Sequence, residues 1–242
     1  MASNVTRTTG DAAGYRRSRI VLVVVAHSDD ESLGMGGTIA RHVADGDKVY
    51  ALSMTDGVGA RGSGASDHAI RRAAAAREAA RALGFEWLAS GDFPDNAMDS
   101  VSLLAIVQHI EKAKAQVGPQ LVYTHSAADL NVDHRILCEA TLTAFRPQPG
   151  ETWEEIRCFE VPSATDYGAA GVTGSFVPNL YVDIVDFWES KLEALRNYAD
   201  ELRPSPHSRS LEGLGNLARY RGNQAGLDMA EAFQIVRKIS RR

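Results

Sequence analysis

Apolar and polar positions along the chain alternate between two periods. Residues 20–26 are an unbroken, β-branched run, the pattern of a strand buried on both faces. A helical pattern follows over about 31–45 and closes at Asp45-Gly46-Asp47; residues 48–54 read as a second strand. Residues 55–66 are a Gly-rich loop too polar for a core. Asp67 is expected to cap a helix over 68–83 that Gly84 stops. Phe85 to Leu88 reads as a short strand, and Asp99 or Ser100 is expected to cap a helix over 101–117. A strand at 120–124 and a helix at 133–145 complete the alternation, which predicts a parallel sheet covered by helices. Beyond it the pattern predicts strands near 155–161 and 179–184, a helix over 186–202 broken by Pro204 and Pro206, and helices over 209–221 and 227–239.

No internal repeat, low-complexity tract or linker interrupts the pattern. Residues 1–19 read as a flexible tail and 20–242 as a single domain. With 242 residues the chain is long enough for a sizeable core, and its 44% hydrophobic and 24% charged residues are ordinary for a globular protein. A formal charge of -5 argues against nucleic acid as a partner. No apolar run approaches the span of a bilayer, and the first 19 residues lack a secretory core, so a cytoplasmic protein without membrane contact is expected. Cys138 and Cys158 are not expected to form a close pair, and fit reduced, buried thiols.

In such a sheet, ligands bind beyond the carboxyl ends of the strands. Two segments concentrate ionisable residues there: Ala26-His27-Ser28-Asp29-Asp30-Glu31 after the first strand, and His125 through Asp129-Leu130-Asn131-Val132-Asp133-His134 after the strand at 120–124. Packing does not call for such residues at the mouth of a buried strand. Helix capping explains Ser28, Asp29 or Glu31 singly, but does not call for histidines. A catalytic zinc wants about three His or carboxylate ligands and one open position. His27, Asp30 and His134 meet that need; ferrous iron suits the same donors. Asp29, not a ligand, is placed to take a proton from water, and Asp133 to orient an imidazole from behind. His42, His68 and His109 lie inside helical patterns and read as surface or structural.

These residues resemble the LmbE/PIG-L family of metal-dependent deacetylases. The family's first signature, A-H-P-D-D-E, stands here as Ala26 to Glu31, followed by Gly34-Met35-Gly36-Gly37. Its second, ending P-D-H, stands as Val132-Asp133-His134. The resemblance runs from residue 20 to about 146. It implies a Rossmann-like fold with the site at the carboxyl ends of the strands, and zinc on His27, Asp30 and His134. It further implies Asp29 as general base, and removal of an N-acetyl group from an amino sugar or a small molecule containing one. Self-association into a homo-oligomer is in keeping with the family. Ser28 stands where the pattern has proline, and Asn131-Val132 where many members carry His-Pro. Asn131 donates a hydrogen bond but no proton at neutral pH, which leaves His125, Asp29 or His207 to protonate the leaving amine, with Asn131 or His125 at the oxyanion.

For the sugar, the loop around Arg61 and the turn at Asp95 offer hydrogen-bonding groups, and His207 and Arg209 reach in from the C-terminal part. A deacylase of the same family acting on another acyl group or a thiol conjugate shares every residue named. An inactive sugar-binding member retains the same pattern, though the intact Asp29 speaks against it. A dinucleotide-binding oxidoreductase is opposed by Asp29, Asp30 and Glu31 at the helix start, where a pyrophosphate would sit. A two-metal phosphoesterase is opposed by ligands sufficient for only one ion.

Overall fold

The computed structural model describes residues 17–55 and 65–241. Most of the expected tail, and the Gly-rich loop with Arg61, lie outside these residues. The strands are β1 (Ile20–Val25), β2 (Lys48–Ser53), β3 (Glu86–Trp87), β4 (Leu121–His125), β5 (Glu155–Phe159), β6 (Leu180–Asp183) and β7 (Ala230–Lys238). The helices are α1 (Asp30–Ala44), α2 (Ala65–Leu83), α3 (Leu103–Val117), α4 (Val132–Ala144), the short α5 (Ala170–Thr173), α6 (Trp188–Asn197) and α7 (Leu211–Asn223). One sheet holds the strands in the order β3-β2-β1-β4-β5-β7-β6. The first five are parallel, and β7 is antiparallel to both its neighbours.

The alternation along β1 explains the layers. Val21, Val23 and Val25 face a core shared with α1, α2 and α6, while Leu22, Val24 and Ala26 face one shared with α3 and α4. All six are fully buried, and a buried valine or leucine contributes about 1.5–3 kcal/mol relative to exposure. The fold is α/β and Rossmann-like, with helices on both faces of a mostly parallel sheet. Strand order reverses at β1, whose neighbours are β2 on one side and β4 on the other. Such a switch point opens a crevice at the strand ends.

α1 is two segments joined at Met35, whose φ of -149° is not helical. Close packing forces the glycines around the break: a Cβ on Gly34 would lie 2.4 Å from Phe159, and one on Gly37 2.8 Å from Ile184. The buried Glu231 of β7 accepts the backbone N–H of Gly37 at 3.0 Å and of Thr38 at 2.7 Å, capping the second segment. Lys191 of α6 donates to Glu231 at 2.6 Å and to the Leu33 carbonyl, at the end of the first segment, at 2.9 Å.

The structure departs from expectation in four places. Residues 230–238 form β7, not a helix, because their Phe233 side is packed against Tyr123 and both backbone edges are taken by β5 and β6. α2 begins at Ala65, which leaves Asp67 inside its first turn. Ser102, not Asp99 or Ser100, caps α3, its side chain accepting the Ala105 N–H, while Met98–Ser100 makes a separate 3₁₀ turn. Finally, Cys138 of α4 and Cys158 of β5 are close: their sulfurs lie 4.0 Å apart as buried free thiols.

Candidate metal centre

The loop after β1 and the loop after β4 flank the switch-point crevice, and each delivers part of one triangle of ligand atoms. His27 Nδ1 lies 3.3 Å from Asp30 Oδ2, His134 Nε2 lies 3.3 Å from the same oxygen, and the two imidazole nitrogens are 3.4 Å apart. Ligand atoms of a four-coordinate zinc, about 2.0–2.1 Å from the ion, lie about 3.3–3.4 Å from one another. The triangle therefore matches a zinc ion with one position left open. Asp30 Oδ1 is buried with no hydrogen-bond partner among the described residues.

Two other His/Asp groupings are close enough to hold an ion, His125 with Asp129 and His134, and His27 with Asp95 and Asp133. Several of their ligand atoms also take hydrogen bonds within the protein, as Asp30 Oδ2 does from the His27 N–H at 3.0 Å. His125 Nε2 accepts the Ala26 N–H at 2.9 Å. Asp129 accepts from Asn131 N at 2.9 Å and Thr165 Oγ1 at 2.8 Å. Asp133 accepts from Asn96 N at 2.7 Å and Met98 N at 3.0 Å.

What surrounds the triangle orients it. His134 Nδ1 meets Asp129 Oδ2 at 3.0 Å, and His27 Nε2 lies 3.1 Å from Asp95 and 3.3 Å from Asp133. The Asp129 contact is the usual means of fixing a tautomer at a metal, whereas His27 Nε2 has carboxylates nearby but no hydrogen-bond partner of good geometry among the described residues. Burial works against charge on His134, but Asp30 and Asp129 outweigh it and push its pKa up to about 9. For His27, too, burial is outweighed, here by hydrogen bonds to Asp133, Asp30 and Asp95, and its pKa stands well above the ordinary value. Asp30, despite its burial, is held well below the carboxylate range by the charges of His134 and His125. Burial, helped by the charge of Asp29, drives Glu31 the other way, up to about 8.

The remaining candidates take distinct places. Asp29 is buried beside Asp30 of the triangle, with Oδ1 2.9 Å from Arg72 Nη2 and Oδ2 3.4 Å from Arg209 Nη1. His125 lies behind the triangle, stacked on His134 with ring centroids 3.8 Å apart, and burial together with the charge on His134 holds its pKa well below the ordinary value. It is fully buried, with Nε2 accepting the Ala26 N–H. Asn131 is the N-cap of α4: its Oδ1 accepts the N–H groups of Asp133 and His134, and its Nδ2 donates to Asn96 at 3.1 Å. Asp95 is buried at the triangle's edge and also accepts from Asn96. His207 accepts the Arg209 N–H at Nδ1 and sits edge-on to Tyr167. Four residues here carry no role in the sequence reading: Asp129, Thr165, Arg72, and Glu201, which accepts from Arg72 Nη1 at 2.6 Å. Only Asp129, quoted within the second motif, left a trace there.

A family model described as GlcNAc-PI de-N-acetylase matches residues 22–145, just over half of the chain. The chain belongs to the PIG-L family. It is an N-deacetylase of the LmbE-like kind, and the match spans both loops of the triangle. Diacetylchitobiose deacetylase of Thermococcus kodakarensis is 28% identical over 227 residues, covering 89% of this chain and 82% of that protein. Among solved structures, N,N'-diacetylchitobiose deacetylase of Pyrococcus horikoshii superposes with a TM-score of 0.71 at 24% identity, covering 90% of this chain and 84% of that one. The 4-carboxy-2-hydroxymuconate hydratase of Pseudomonas putida superposes with a TM-score of 0.73 at 23% identity, covering 93% and 98%. Likeness at that level shows the fold alone, and one fold here serves two reaction types. No helix of the described residues is long and apolar enough to cross a membrane.

Proposed function

We propose that this PIG-L member is a zinc-dependent hydrolase that removes the N-acetyl group from an amino sugar or a small molecule containing one, releasing acetate. The observation that carries this reading is the triangle of His27, Asp30 and His134 at tetrahedral spacing, with the separate carboxylate Asp29 beside it. Zinc bound there supplies a Lewis acid that polarises the acetamide carbonyl and acidifies water; ferrous iron fits the same donors. The named activities of the relatives agree with this choice over a hydratase.

The chain's own residues divide the work. Asp29 takes the proton of the attacking water. Its Oδ2 is the oxygen for that task, because Oδ1 is held at 2.9 Å by Arg72 whereas Oδ2 has, among the described residues, Arg209 at the longer distance of 3.4 Å. With His125 sealed behind His134 and Asn131 spent as a helix cap, Asp29 also returns the proton to the leaving amine. Asp95 and Arg209 are the groups nearest to hand for sugar hydroxyls, with His207 behind Arg209; Arg61 is assigned the same duty on the sequence alone.

The test is metal content together with acetate release from a panel of N-acetylated amino sugars, with and without a chelator. About one metal per chain and chelator-sensitive acetate release are expected. A protein that takes up no metal from supplied zinc, or holds metal and releases acetate from none of the panel, overturns the assignment.

A further inference from the structure

Asp29 is built into a buried ionic link that reaches well beyond the metal centre. Arg72 of α2 uses all three of its guanidinium nitrogens: Nη2 on Asp29 Oδ1 at 2.9 Å, Nη1 on Glu201 Oε1 at 2.6 Å, and Nε on Ser28 Oγ at 3.3 Å. Arg72, Asp29 and Glu201 are all buried. We propose that Glu201 is a positioning residue for the deacetylation, acting through Arg72 to fix the direction of the Asp29 carboxylate. This rests on the hydrolase reading above.

The argument is geometric. A guanidinium is a rigid planar fork, so fixing two of its arms fixes the direction of the third. Glu201 and Ser28 anchor two arms, and Asp29 takes the direction left to it. The link also balances charge, since one buried cation is shared between two buried carboxylates. Without Glu201, one arm of Arg72 is buried and unpaired, and the guanidinium turns on its stem toward water or further onto Asp29. Either movement displaces the base. Ser28 supplies one of the anchors: proline, which the family pattern has there, offers no side-chain acceptor for Nε.

The turn that carries Glu201 is tied to the same loop a second time. Glu201 ends the 3₁₀ turn Ala199–Glu201, directly after α6. Tyr198, at the start of that turn, donates to Glu31 Oε1 at 2.9 Å. The turn therefore holds the residues on both sides of Asp30, Asp29 by way of Arg72 and Glu31 by way of Tyr198. With every arm of its guanidinium engaged, Arg72 serves to position Asp29 and leaves substrate contact to other groups.

The experiment is acetate-release kinetics on metal-loaded Glu201→Gln, alone and combined with Asp29→Ala. Because a misplacement of about 1 Å can cost about 10²-fold, kcat is expected to fall about 10–100-fold. KM should stay within about two-fold, and metal content should not change. In the Asp29→Ala background the same substitution is expected to lower kcat no further. An unchanged kcat, or an equal loss with and without Asp29, overturns the proposal. Arg72→Lys keeps the charge but not the fork and is expected to lose kcat to the same degree; full activity in it is equally fatal. A second readout needs no substrate: urea unfolding of metal-free Glu201→Gln, Asp29→Ala and the double variant. Non-additive losses are expected of residues sharing one partner, and additive losses overturn the link. If the wild-type chain releases acetate from no sugar, the hydrolase reading fails, and this cycle alone then decides the link.

Discussion

A buried histidine–aspartate pair stands near each end of α1, His134–Asp129 from α4 and the loop before it, and His42–Asp47 from the end of α1 itself, and the two pairs behave oppositely. Near its first turn, His134 Nδ1 meets Asp129 at 3.0 Å while Nε2 faces Asp30 and His27 across the open triangle. In its last turn, His42 Nδ1 meets Asp47 at 2.7 Å, but Nε2 is closed off by the Tyr123 hydroxyl at 2.9 Å. Asp30 adds a second carboxylate to the first pair, and the pKa of His134 rises to about 9. At the second pair burial prevails, helped by the charges of Arg19 and Arg157, and the pKa of His42 falls below its ordinary value. An aspartate behind an imidazole is common to both, so it does not make a ligand. The deciding feature is the fate of the other nitrogen.

The sharpest way to break this comparison is to remove one histidine from each pair. His134→Ala is expected to take metal from about one per chain to near none and to abolish acetate release. His42→Gln should leave both intact. Metal analysis after dialysis decides it, and a His134 variant that keeps its metal refutes the ligand assignment. Next in size is Asp29→Ala, where turnover should drop about 10² to 10⁴-fold with metal retained. Loss of the metal in that variant would make Asp29 a ligand and overturn its role as base.

A smaller effect is expected from Asp129→Asn, which should weaken metal affinity about 10–100-fold, as removal of an orienting carboxylate typically does. Asp47→Asn should leave affinity unchanged, and competition with a zinc chelator measures both. The smallest effect is in pH. In metal-free protein His134 holds its proton more tightly folded than unfolded, so its contribution to stability is complete below about pH 6.5 and lost as pH rises through about 9. His42 holds its proton less tightly when folded, so its contribution is present above about pH 6.5 and lost as pH falls below it. Urea midpoints measured from pH 5 to 9 should therefore lose part of their alkaline decline in His134→Asn, the rest coming from His27, and part of their acid decline in His42→Gln. A tenfold difference in proton affinity between the folded and unfolded states corresponds to about 1.4 kcal/mol.

The candidate metal centre was legible because its residues break the rules of packing. His27, Asp29 and Asp30 stand in a row at the mouth of a wholly apolar strand, and only chemistry accounts for them. The parallel half of the sheet was legible for a related reason, since strands buried on both faces have few alternative readings. β7 was misread as a helix because Glu231 interrupts its apolar side. That carboxylate is buried to cap the break in α1, a demand imposed by a segment about 190 residues away. Arg72 was hidden likewise: on a helix rich in arginine and alanine it reads as solvated, and its burial comes from Glu201, 129 residues further along the chain. Asn131, expected near the oxyanion, proves to close the first turn of α4, a duty any short polar residue in that place can perform. Cys138 and Cys158 meet only because α4 packs across the sheet onto β5.

The position of β7 bears on how the molecule comes to be assembled. It is the last strand in sequence, yet it lies between β5 and β6. As the chain leaves the ribosome, the parallel strands can add in order, but β6 has no place in the sheet until residues 230–238 arrive. Until then the edges of β5 and β6 both stand open, a template for pairing with another chain. The break in α1 also lacks its cap, because Glu231 arrives with β7. The helix that presents Asp30 therefore acquires its final form only after residues 230–238 have been synthesised, and a nascent protein lacking β7 has the residues of the candidate metal triangle before it has the support that holds them.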